Sequence, residues 1–83
     1  MAGLMRRIDE AAKAERAKKV ISLSVWVGAL SHMSAEHFAE HFERAAAGSA
    51  AEGARLIVTA SQDIYHVNAQ DILLEAIELE ADP

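Results

Sequence analysis

The sequence predicts an α+β sandwich: two helices on one face of a small three-stranded mixed sheet, in the order α-β-α-β-β. Three observations carry this. Two segments, 3–16 and the stretch between Ser34 and Gly48, place apolar side chains at helical spacing; 20–30 and 56–60 alternate apolar and polar residues as half-buried strands do. A final apolar segment, 72–80, alternates with one skip. A strand, a crossover helix and a second strand of this length suggest a βαβ unit, which makes the first two strands parallel if they share a sheet, and the third returns by a hairpin.

In the first segment Leu4, Ile8, Ala11, Ala12 and Glu15 recur at helical spacing, with Arg6, Arg7, Asp9, Glu10 and Lys13 around the rest of the turn. The strand at Val20–Leu30 puts Ile21, Leu23, Val25 and Val27 on one face and Ser22, Ser24 and Trp26 on the other, and Gly28 closes its regular part. Ser34 then stands as an N-cap, Glu36 favours the positive helix end, and Phe38, Phe42, Ala45 and Ala46 form the buried stripe. Gly48 sits where a left-handed residue ends such a helix. Leu56–Ala60 is the second strand and Ile72–Glu80 the third, with the turn region SQDIYHVNAQD between them. Within the third, Ile72 and Leu74 share a face, as do Ile77 and Leu79, but the pairs are one residue out of step. A β-bulge at Glu75 and Ala76 would turn all four toward the core. Trp26, Ile57, Ser22, Ser24 and Thr59 fall on the face without helices, where an uncovered Trp is a candidate partner contact.

With 83 residues, the chain fits one domain, 1–83, and a domain of this size buries only about 60 to 65% of the surface its unfolded chain exposes. Apolar residues make up 52% but include only two Phe, one Trp and one Tyr, so a partner surface would help it. Thirteen acidic against eight basic side chains give a net charge of −5, with no basic stripe to hold a phosphate backbone; nucleic acid is not an expected ligand. Zero cysteines exclude disulfides, thiolate zinc sites, iron–sulfur ligation and thiol catalysis. The N-terminus lacks the pattern of a signal peptide and no apolar run is long enough to span a bilayer, so the expected location is cytoplasmic, with no membrane partner.

Gly28-Ala29-Leu30-Ser31, Phe38 with Phe42, and Ala51-Glu52-Gly53-Ala54 together resemble the HypA/HybF family of hydrogenase nickel-insertion proteins. Ala17-Lys18-Lys19-Val20 and the closing Leu74-Glu75-Ala76-Ile77-Glu78-Leu79-Glu80 fit as well, so the resemblance runs from about residue 17 onward. It implies the fold of that family's nickel domain and a role in maturing a nickel enzyme. Two pieces of the family's pattern are missing. Members typically begin Met-His-Glu, where the N-terminal amine and that His contribute to nickel binding; this chain begins Met1-Ala2-Gly3, with a first helix shorter by roughly a turn and a half. Members also carry a zinc domain with two Cys-x-x-Cys pairs between the second and third strands, where this chain has SQDIYHVNAQD. The sequence thus resembles a degenerate form of the family pattern, with the scaffold retained and neither metal motif among its residues.

Four histidines remain to be read. His37 and His41, one helical turn apart, can chelate nickel or zinc, with His32 as a further donor; the plain alternative is two exposed histidines flanking the core positions Phe38 and Phe42. Tyr65 and His66 form either a recognition element in an exposed loop or, with Ile64 and Val67, a short apolar plug. Glu75, Glu78, Glu80 and Asp82 read as a solvated strand edge and tail. No nucleophile elbow, phosphate-binding loop or His-Glu-x-x-His helix is present, and no catalytic residue is expected. The leading expectation is a non-enzymatic accessory protein that docks a metalloenzyme or maturation factor through the sheet and its exposed edge, with Trp26 as anchor and Tyr65 and His66 as further partner-binding candidates. The alternatives are a nickel- or zinc-binding metallochaperone using His37 and His41, and a permanent small subunit of a larger enzyme; a homodimer or a hetero-complex is compatible with each.

Overall fold

The computed structural model describes residues 1–81. Its elements are α1 (Ala2–Ala14), β1 (Ala17–Val27), α2 (Ala35–Ala46), β2 (Arg55–Ala60) and β3 (Ile72–Ala81), in the predicted α-β-α-β-β order. They form an α+β fold with a three-stranded mixed sheet ordered β2-β1-β3. β1 pairs with β2 in parallel from Ser22↔Arg55 to Val27↔Ala60, and with β3 antiparallel from Ala17↔Ala81 to Val27↔Ile72. The expected hairpin between the last two strands is therefore wrong. β3 crosses the end of the sheet and takes the free edge of β1, which leaves the strand that carries the buried residues Val20, Leu23, Val25 and Val27 paired on both sides.

α1 lies over β1 and β3, and α2 over β2. The core between helices and sheet is built from Ile8, Val20, Leu23, Val25, Val27, Phe38, Phe42, Ala46 and Ala51, and the Phe38 and Phe42 rings stack with centroids 6.3 Å apart. Their burial supplies most of the driving force available to so small a chain. Ser34 caps α2 as expected, its Oγ accepting the His37 amide at 3.1 Å, and Gly48 adopts φ +79° just beyond the helix. Ala45 is exposed, contrary to expectation: it borders an open cleft between α1 and the end of α2, beside Ala2, Met5 and Ser49.

The register with β3 has three irregularities, and two change which side chains face the core. Between Val20↔Leu79 and Ser22↔Glu78, β1 advances two residues while β3 advances one. The extra residue is Ile21, which is 43% exposed, whereas Val20 is fully buried: the expected inward role belongs to its neighbour. Between Ser24↔Ala76 and Val25↔Leu74, β3 advances two residues against one, so Glu75 bulges out. As predicted, Ile72, Leu74, Ile77 and Leu79 all pack against the core. Glu75, Glu78 and Glu80 are exposed along this strand, and Asp82 lies outside the described residues.

Candidate functional site

The face without helices is made of cross-strand rows centred on β1. Ser22 stands between Arg55 and Glu78, Ser24 between Ile57 and Ala76, and Trp26 between Thr59 and Leu73. Ser22 Oγ donates to Glu78 Oε2 at 3.0 Å. Small side chains thus occupy the middle of the face, with Ile57, 45% exposed, at one side and Trp26 at one end.

Trp26 is half-buried rather than uncovered. The imidazole of His66 packs on it, ring centroids 4.8 Å apart and planes tilted by 46°. The segment 61–71 is folded to make that contact. Ser61 Oγ accepts the Asp63 amide at 3.1 Å, Asp63 Oδ1 accepts the Tyr65 amide at 2.9 Å, and His66 Nδ1 accepts the Asn68 amide at 2.9 Å. An Nδ1 that accepts an amide carries no proton, so the proton of the neutral ring is on Nε2. The loop is then tied to the end of β1, where Gly28 donates to the Asp71 carbonyl at 2.8 Å and Leu30 to the Ala69 carbonyl at 2.6 Å. Gly28 permits this approach, because a Cβ there would fall against the Ala69 carbonyl and 2.7 Å from the Asn68 oxygen.

Held in this way, the loop presents apolar side chains to solvent. Tyr65 and Val67 are each 91% exposed and Ile64 is 50% exposed, whereas Ala69 is buried. The apolar-plug reading of Ile64, Tyr65 and Val67 is therefore corrected: local side-chain to backbone turns fix the tip outward, and the residue that plugs the end of the sheet is Ala69. Ala69 and Leu73 escaped the sequence reading. Gly28 at a strand end, a position where a close approach of another backbone is common, was the available signal.

The remaining histidines lie on the helix side of the molecule. His37 and His41 are exposed on one flank of α2, ring centroids 6.5 Å apart and planes at 62°. His32 is an exposed turn residue at φ +61°. Among the described residues no three His, Cys, Asp or Glu side chains gather into a group able to hold a metal ion, so His32 does not complete a site with the α2 pair. The donor set does not fit a structural zinc, which takes four ligands, most often including thiolates this chain lacks. None of the described helices is long and apolar enough to cross a membrane.

Residues 1–79 match the family model described as hydrogenase/urease nickel incorporation, metallochaperone, HypA. The match takes in α1, which the motifs quoted above did not reach. Among solved structures, the chain is similar to the solution structure of the Ni metallochaperone HypA from Helicobacter pylori. The TM-score is 0.80 at 19% identity, over 98% of this chain and 94% of that one. That likeness is one of fold. No curated relative matches the sequence.

Proposed function

The chain belongs to the HypA family of hydrogenase and urease nickel-incorporation metallochaperones, and from that premise we propose that it acts as a non-catalytic accessory protein, docking a metalloenzyme or maturation factor through the open sheet face and the 61–71 loop. The observation that carries this reading is the loop tip: Tyr65 and Val67 stand 91% exposed on a loop whose turns and anchors are themselves ordered by hydrogen bonds. Exposing two large apolar side chains on a fixed loop has no folding benefit, and rigid aromatic anchors are the usual centre of a protein interface. His66 holds the Trp26 ring under the tip, so the two form one surface. The setting this role implies is the cytoplasm, with the partner supplying a cover for the open face.

The test is quantitative co-purification from the native host of tagged wild type, Tyr65→Ser and Trp26→Ala, with thermal melting to check that each variant folds. Recovery of the nickel enzyme or its maturation factors at wild-type levels with both variants would remove the proposal.

A second reading, nickel handling by His37 and His41, draws on their shared flank and their exposure, which leave both imidazoles open to an ion. The pair alone supplies two ligands, so the remaining positions fall to water or to the partner. Isothermal titration of Ni²⁺ and Zn²⁺ into wild type and His37→Ala/His41→Ala separates the readings; equal affinities for the two proteins would eliminate it.

A further inference from the structure

We propose that the outer edge of β2, with the cleft between it and α2, takes an extended Lys- or Arg-bearing segment of a partner protein as an added strand. The two edges of the sheet differ in how they are defended. β3 carries Glu75, Glu78 and Glu80 and is bulged at Glu75, devices that discourage edge pairing. β2 has neither device. Its register against β1 runs unshifted from Arg55 to Ala60, and Arg55 is its sole charge. As an end strand it offers its outward amides and carbonyls to a further chain.

Beside that edge lies a cleft of about 630 Å³, with Phe42, Ala46, Ala51, Ala54 and Leu56 along its apolar lining. The small alanines leave room for side chains of an incoming strand, every second one of which would point into the cleft. The charges that line it are Glu43 and Glu52, with no cation among the lining residues. Helical spacing sets exposed Glu36 and Glu40 on the same flank as Glu43, so the rim along α2 is acidic over two turns. Glu52 also borders a second cleft with Lys18 and Lys19, which makes Glu43 the cleaner contact. Apolar floor and acidic rim together select a strand with apolar residues at its centre and basic residues at its ends. A second copy of this chain is a poorer occupant, because symmetric pairing of two β2 edges would bring the two acidic α2 flanks together. The surface is separate from the 61–71 loop, and the inference stands without the docking role assigned to it.

The probe is the peptide acetyl-Lys-Thr-Val-Thr-Val-Thr-Lys-amide, which places both valines and both lysines on one face, with a control in which glutamate replaces each lysine. Each is titrated into isotope-labelled full chain and followed by amide chemical shifts and hydrogen exchange. The lysine peptide is expected to shift and protect amides of Arg55–Ala60, to bind at least about ten-fold more tightly than the control, and to weaken as salt rises. Glu43→Lys, an exposed change that leaves the core intact, reduces its affinity by about the same factor, and Glu75→Ala, exposed on the opposite edge of the sheet, leaves it unchanged. Equal binding of the two peptides, perturbation centred on β3 or the 61–71 loop, self-association protecting β2 without peptide, or no binding would each overturn the proposal.

Discussion

The two flanks of β1 solve the same packing problem in different ways. Toward β2 the strand pairs in parallel over six unshifted positions, and α2 covers the result with Phe38 and Phe42. Toward β3 it pairs antiparallel along its whole length, with shifts on both strands. On the β2 side plain alternation already directs Leu56 and Val58 inward. On the β3 side the apolar residues are out of step, and one extra residue in each strand restores them to the core. The shorter flank depends on a large side chain above it, and the longer one on an inserted residue within it.

Removing the large side chain is the strongest way to break this comparison. Phe38→Ala empties a fully buried site and is expected to cost about 3–5 kcal/mol, enough to unfold much of so small a chain, read from urea denaturation. Deleting Glu75 attacks the other flank. It turns either Ile72 and Leu74 or Ile77 and Leu79 away from the core, and because these are half-buried the expected loss is about 2–4 kcal/mol. Glu75→Ala, which keeps the extra residue, should stay within about 0.5 kcal/mol of wild type. A deletion no worse than that substitution would show that the bulge does not set the register. Gly28→Ala forces the new methyl against the Ala69 carbonyl and should cost about 1–3 kcal/mol, with the Gly28-to-Asp71 and Leu30-to-Ala69 hydrogen bonds opening first in hydrogen exchange. Ser34→Ala, which removes the cap on the His37 amide, should cost about 1 kcal/mol in the same denaturation assay. Smallest is Ser31→Ala. Its buried Oγ has no hydrogen-bond partner, so the change should be neutral or slightly stabilising although the residue belongs to the motif that marks the family.

Much of this was readable from side-chain spacing. The end of α2 was visible in Ser34 and Gly48, and the bulge in β3 in two apolar pairs one residue out of step, because capping and alternation are local rules. The inward turn of Val20 in place of Ile21 was not legible, since strict alternation assigns Ile21 to the Leu23 face and only pairing with β3 introduces the extra residue. Nor was the path of β3, which is decided by competition between two edges far apart in sequence. At the candidate site Trp26, Tyr65 and His66 were singled out by type and position. Their arrangement depends on a long-range contact, the His66 ring on Trp26, and on hydrogen bonds from Gly28 and Leu30 to carbonyls some forty residues later. Neither leaves a periodic trace.

The way segment 61–71 is fastened has a consequence for protein engineering. Its outward tip, Ile64–Val67, is bracketed by turns at Ser61–Asp63 and Asn68–Asp71, and the second of these is fixed to Gly28 and Leu30. Within that tip Ile64, Tyr65 and Val67 stand out in solvent, and the His66 ring carries the contact with the sheet, on Trp26. A compact domain whose own termini lie close together can therefore be spliced between Tyr65 and His66, making this small fold a carrier for grafted modules.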